Sequence, residues 1–145
     1  MLNVELHITC NTLNNYEIKS FEEFCHSINA KPIIILLSKG ESTQQPMISK
    51  IIKCLNRNDL NTEVGYIVKQ FESNAYQVTR IKMEVAPWDI EQAKKIVNSD
   101  NENYFEWHGK IKVEDEKNAA SIITKLGGHI SVSYTHLTLP TKRIV

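Results

Sequence analysis

The chain opens with Val4-Glu5-Leu6-His7-Ile8-Thr9-Cys10, and about a hundred residues later Tyr104-Phe105-Glu106-Trp107-His108-Gly109-Lys110-Ile111-Lys112-Val113 repeats its pattern. Both stretches alternate apolar and polar residues around Glu-x-His, the signature of a half-buried strand. Successive strand side chains point to opposite faces, so Glu5, His7 and Thr9 share one side while Val4, Leu6, Ile8 and Cys10 share the other. The same split sets Glu106, His108 and Lys110 against Phe105, Trp107 and Ile111. A chain that restarts with the same strand is expected to restart the same fold.

Between the two strands, the pattern switches several times between periods of two and 3.6 residues. A first strand over about 2–10 ends in the turn-rich run 11–15. Phe21, Phe24, Cys25 and Ile28 then recur at helical spacing, with Ser20 and Glu23 spaced as a capping box. Lys31-Pro32 leads into Ile33-Ile34-Ile35-Leu36-Leu37, an unbroken apolar run expected to be interior and buried on both faces. A third strand is expected over about 48–54. A second helix from Asn61 or Thr62 to Ser73 should bury Leu60, Val64, Ile67, Val68 and Phe71. The fourth strand, 76–85, alternates Thr79, Ile81, Met83 and Val85 with Arg80, Lys82 and Glu84, and Ala86-Pro87-Trp88 breaks it.

This order, β-α-β-β-α-β, is the ferredoxin-like one, an α+β sandwich in which two helices cover one face of a four-stranded antiparallel sheet. Residues 1–88 would form the complete unit and 89–103 a linker with a short helix. Residues 104–131 would open a second, truncated unit, its helix 116–126 turning Ala119, Ile122, Ile123 and Leu126 inward. The first and fourth strands are neighbours in that topology. Glu5 and His7 should therefore lie beside Arg80, Lys82 and Glu84 on the face the helices leave open.

Charge narrows the partners. Lys plus Arg and Asp plus Glu both number 17, so no bulk positive charge recruits nucleic acid or an anionic membrane. The open face also lacks the row of aromatics that RNA-binding sheets use. No apolar run is long enough to span a bilayer and the N-terminus has no secretory pattern, so a soluble, cytoplasmic protein is expected. Cys10, Cys25 and Cys54 are odd in number and widely spaced, which suits reduced core thiols. His26 is expected to be a solvated helix residue. No cofactor is expected.

Three resemblances follow from these residues. Glu5-Leu6-His7-Ile8-Thr9, Lys31-Pro32, Gln45-Pro46-Met47, Val78 to Glu84, Ala86-Pro87-Trp88, Tyr104 to His108 and His129-Ile130-Ser131 are together similar to a family of uncharacterised proteins carrying a duplicated ferredoxin-like unit. That resemblance implies the fold and the duplication but no activity. Val132-Ser133-Tyr134-Thr135-His136-Leu137-Thr138-Leu139-Pro140-Thr141 resembles the translation of a sequencing adapter, which makes 132–145 an expected non-native tail and accounts for the interrupted repeat. His7-Ile8-Thr9 and His129-Ile130-Ser131 also resemble the His-x-Ser/Thr motifs of the two-histidine phosphoesterases. There, paired histidines act as general base and acid on a cyclic phosphate while hydroxyls hold its oxygens. At the repeat's equivalent strand, Lys110 replaces the hydroxyl residue.

Three readings of the charged face stay open. As a hydrolase site, its catalytic groups would be His7, Thr9 and His108. As a non-catalytic cleft, Glu5, Arg80, Lys82, Glu84, Glu106 and Lys110 would bind an anionic small molecule such as a phosphate or carboxylate. As a structural layer, the Glu5-His7 and Glu106-His108 pairs would join Lys82, Glu84 and Lys110 where two sheets meet. Metal binding by the histidines and glutamates rests on alternation alone, and no metal is expected. The unpaired edge of a half-built repeat is expected to make the chain self-associate.

Overall fold

The computed structural model describes residues 1–37, 43–96, 104, 106, 115–128, 130–134 and 141–144. In order they give β1 (Leu2–Cys10), α1 (Glu17–Ser27), β2 (Lys31–Leu37), β3 (Gln44–Cys54), α2 (Arg57–Ser73) and β4 (Val78–Glu84). A 3-10 turn (Pro87–Asp89) then leads to α3 (Ile90–Ile96), α4 (Glu116–Lys125), β5 (Ile130–Tyr134) and β6 (Thr141–Ile144). The architecture is α+β. The strands form one sheet in the order β4-β1-β3-β2-β5-β6, with every neighbouring pair antiparallel.

One face of this sheet makes the core. Leu2, Val4, Leu6, Ile8 and Cys10 of β1 are each at most 2% exposed, and they pack with Phe21, Phe24 and Cys25 of α1 and Leu60, Ile67 and Phe71 of α2. Burying each such aliphatic or aromatic side chain contributes about 1.5–3 kcal/mol. Four rings lock the two helices together: Phe24 meets Phe71 edge-on at 5.0 Å between centroids, and Phe21 meets Tyr76 edge-on at 5.2 Å. The apolar faces anticipated for α1 and α2 are the ones that pack, with Val64 and Val68 half-buried at the rim.

Both helix starts differ from expectation, for one shared reason. α1 begins at Glu17 rather than beyond Ser20 because Asn14 and Glu17 cap it reciprocally. Asn14 Oδ1 accepts from the Tyr16 and Glu17 amides at 3.0 and 3.1 Å, and the Glu17 carboxylate accepts from the Asn14 amide at 2.8 Å. α2 begins at Arg57 because Asn56 Oδ1 accepts from the Asp59 amide at 3.0 Å while Asp59 Oδ2 accepts from the Leu55 amide at 3.0 Å. Each is an Asn-x-x-acid box, the cap chemistry that Ser20 and Glu23 were expected to provide for α1.

The helices α1, α2 and α4 also end alike. In each, the residue two past the helix's last takes a left-handed conformation: Asn29 at φ 52°, Ala75 at φ 61° and Gly127 at φ 78°. Paired amide bonds back into the last turn close each corner, as from Ala75 to Glu72 and from Tyr76 to Phe71.

The strands bring smaller corrections. β3 starts at Gln44, four residues early. Pro46 is tolerated there because β1 pairing has ended at Met47, leaving β2 as the strand's one neighbour at that point. β2 is interior, as anticipated, with β3 on one side and β5 on the other. Its burial is partial: Ile33 and Ile34 are buried, Ile35 is half-buried and Leu36 is exposed, because the strand runs out from under the helices. On α4, Ile122 and Leu126 are exposed rather than inward, and none of its described residues joins the core, which α1, α2 and Ile96 of α3 share. The second Glu-x-His strand falls mostly outside the described residues. Its two described positions, Tyr104 and Glu106, lie in irregular backbone and not in a strand.

Candidate functional site

The helix-free face of β1 and β4 carries the polar residues. Antiparallel register sets Glu5 directly opposite Glu84, His7 opposite Lys82 and Thr9 opposite Arg80, while on the other flank of β1 His7 faces Ser49 of β3. The adjacency expected from topology therefore brings Glu5, His7, Arg80, Lys82 and Glu84 onto one patch. Glu106 joins it from the segment beyond α3. His108 and Lys110 lie outside the described residues.

Lys82 ties the patch together. Its ammonium donates to Glu84 Oε1 at 2.7 Å and to Glu106, and lies 5.7 Å above the Tyr104 ring, within cation–π range. Desolvation works to lower the lysine's pKa, but the Glu106 and Glu84 carboxylates outweigh it and hold the amine above its usual value. Arg80 donates from Nη2 to the Tyr104 hydroxyl at 3.0 Å. Residues 104 and 106 thus lie along the β4 side of the open face.

His7 is the most enclosed member, its side chain 14% exposed. Its Nε2 lies 3.5 Å from Glu5 Oε1 and 3.8 Å from Glu84 Oε1. Its Nδ1 is buried and has no hydrogen-bond partner, the one side-chain atom of which this is true among the described residues. Glu5 Oε1 also accepts from the Ser49 hydroxyl at 2.7 Å. Thr9 is buried at 7% exposure, and its carbonyl accepts from the Thr79 hydroxyl at 3.2 Å. One potential ligand atom from each of Glu5, His7 and Glu84 lies within 4.8 Å of the others.

Sequence reasoning missed Ser49; alternation put Tyr104 on the open face beside Glu106 but did not foresee its bond with Arg80. Ser49 becomes a partner of Glu5 only through the β1–β3 register, which no local pattern specifies. The thiols are as anticipated: Cys10, Cys25 and Cys54 are free and buried, and burial pushes Cys10 and Cys25 up to about 12, leaving them inert. His26 is exposed on α1. No helix among the described residues is long and apolar enough to cross a membrane.

Compared with protein-family models, with curated proteins and with solved structures, the chain matches none. Its function is therefore argued from the patch itself.

Proposed function

We propose that this chain is a non-catalytic ligand-binding or interaction module built on a ferredoxin-like unit, with the open face of β1 and β4 as its contact surface. The observation that carries the reading is the grouping of Glu5, His7, Lys82, Glu84 and Glu106 on the one sheet face that α1 and α2 leave bare. The β4-β1-β3-β2 order, reached through β-α-β-β-α-β, supports the ferredoxin-like assignment. The bond from Lys82 to Glu106 fits a polar seam shared between one copy and the opening of a second. The adapter reading of 132–145 is tested on the nucleotide sequence, where native codons with no adapter match would remove it.

Acids dominate the patch. Lys82 is already held by two carboxylates and Arg80 by Tyr104, so the groups that would grip an anion are engaged within the protein. A phosphate approaching His7 would meet Glu5 and Glu84, which weighs against the cyclic-phosphate hydrolase. That second reading keeps His7 and Thr9 on a common face. Turnover of a 2′,3′-cyclic nucleotide that disappears in His7→Ala would put it first.

The binding reading is checked by amide NMR on the full chain, titrated separately with inorganic phosphate, citrate, Zn2+ and short acidic or basic peptides. Shifts confined to residues 5–9 and 80–84 are the expected result. A panel that leaves those amides unmoved would sink the proposal.

A further inference from the structure

We infer that Glu5, His7 and Glu84 form a divalent transition-metal site open to solvent, with zinc as its best-matched ion. This inference rests on the binding-module reading and names its ligand.

The first argument is the strand register. Glu5 and Glu84 are directly opposed across β1 and β4 on the same face, and like charges so placed destabilise a sheet. A dication between them turns that repulsion into attraction. Lys82 relieves part of it from the Glu84 side, while Glu5 has the neutral hydroxyl of Ser49.

The second argument is geometric. The separations of His7 Nε2 from the two carboxylate oxygens, 3.5 and 3.8 Å, are long for hydrogen bonds donated by a ring nitrogen. They are close to the roughly 3.3–3.6 Å that separates neighbouring ligand atoms around an ion bound at about 2.0–2.2 Å. An imidazole and two carboxylates are the nitrogen and oxygen donors that zinc accepts, with a further position left for solvent or a substrate atom.

The third argument concerns His7 itself. Its Nδ1 is buried without a partner and its Nε2 faces two acceptors beyond good hydrogen-bond reach, so the protein satisfies neither nitrogen well. Coordination satisfies Nε2 alone and leaves the ring proton on Nδ1, which finds no acceptor among the described residues. The Ser49 hydroxyl already holds Glu5 Oε1 in place, a support of the kind that metal-binding carboxylates use. Glu5, 47% exposed at its side chain, leaves an entry path.

Lys82 supplies the discriminating test. Its positive charge opposes a dication at Glu84, so Lys82→Met tightens metal binding, whereas in a purely ionic seam the same substitution does nothing but remove a partner.

The experiment is calorimetric titration of the chelator-treated full chain with Zn2+, repeated with Co2+ followed by its visible absorption, while NMR tracks the His7 imidazole. One equivalent should bind, moving the His7 ring resonances. Affinity should fall about tenfold or more in Glu5→Gln and in Glu84→Gln and rise in Lys82→Met, all three checked for native amide spectra. Zinc binding that leaves the His7 ring unmoved, or that survives both glutamine variants, overturns the site. If zinc fails but phosphate, citrate or a peptide shifts β1 and β4, the metal inference falls and the binding module stands. If nothing shifts them, both fall.

Discussion

The two faces of β1 are built from alternate residues of the same nine, yet they obey different physics. Leu2, Val4, Leu6 and Ile8 are sealed beneath α1 and α2, where nondirectional burial holds them. Asn3, Glu5 and His7 look the other way, where charge, register and hydrogen-bond geometry decide what is stable. Stability should therefore reside on the covered face and function on the open one. Substitutions on the two faces should separate the two properties.

The largest effect should come from the covered face. Phe71→Ala removes a fully buried ring that meets Phe24 edge-on and should cost about 3–5 kcal/mol, read as a lower denaturant midpoint. A loss near 1 kcal/mol would mean the helices are only loosely seated, and the contrast between faces would blur.

Alkaline pH probes that same face. Cys10 and Cys25 titrate near 12 when folded, against 9.0 ordinarily. A raised folded value means that their contribution is intact below the unfolded pKa and is lost as pH climbs towards 12, because the unfolded thiols ionise first. Chemical denaturation at pH 8, 10 and 11 should show that decline, and Cys10→Ala with Cys25→Ala should flatten it once their own baseline loss is subtracted. A pH-independent wild type would contradict burial of these thiols.

On the open face the effects shrink. Lys82→Met leaves Glu84 and Glu106 without their shared cation and should cost about 1 kcal/mol or less, with the cost falling as salt rises. Smallest of all, Glu5→Gln removes one of two opposed carboxylates. It should leave the unliganded protein unchanged or more stable by a few tenths of a kcal/mol. A large loss in Glu5→Gln would make this carboxylate a structural group and erase the division between faces.

How much of this could be read from sequence follows the range of each interaction. The apolar stripe Phe21, Phe24, Cys25, Ile28 is a local period, and it packs as read. The neighbourhood of Glu5, His7, Lys82 and Glu84 needed a topology, which the β-α-β-β-α-β order provides. The helix starts were legible too, in Asn14-x-x-Glu17 and Asn56-x-x-Asp59, although the first was expected at Ser20 and the second at Asn61 or Thr62. Ser49 was not legible, since it reaches the patch through a strand register that leaves no periodic trace, whereas Tyr104 shares the alternation of Glu106 and only its contacts with Arg80 and Lys82 were hidden.

The bare face has a cause outside its own residues. β1 lies parallel to β2 across β3, and β3 lies parallel to β4 across β1, so each helix is the bridge of a crossover, and such bridges are almost always right-handed. The second crossover travels the sheet in the opposite direction from strands that also point the opposite way. The two reversals cancel, and a single hand delivers both helices to the same side. The chirality of L-amino acids, acting through strand twist, thus keeps both crossover helices off this surface before any glutamate or histidine is placed on it.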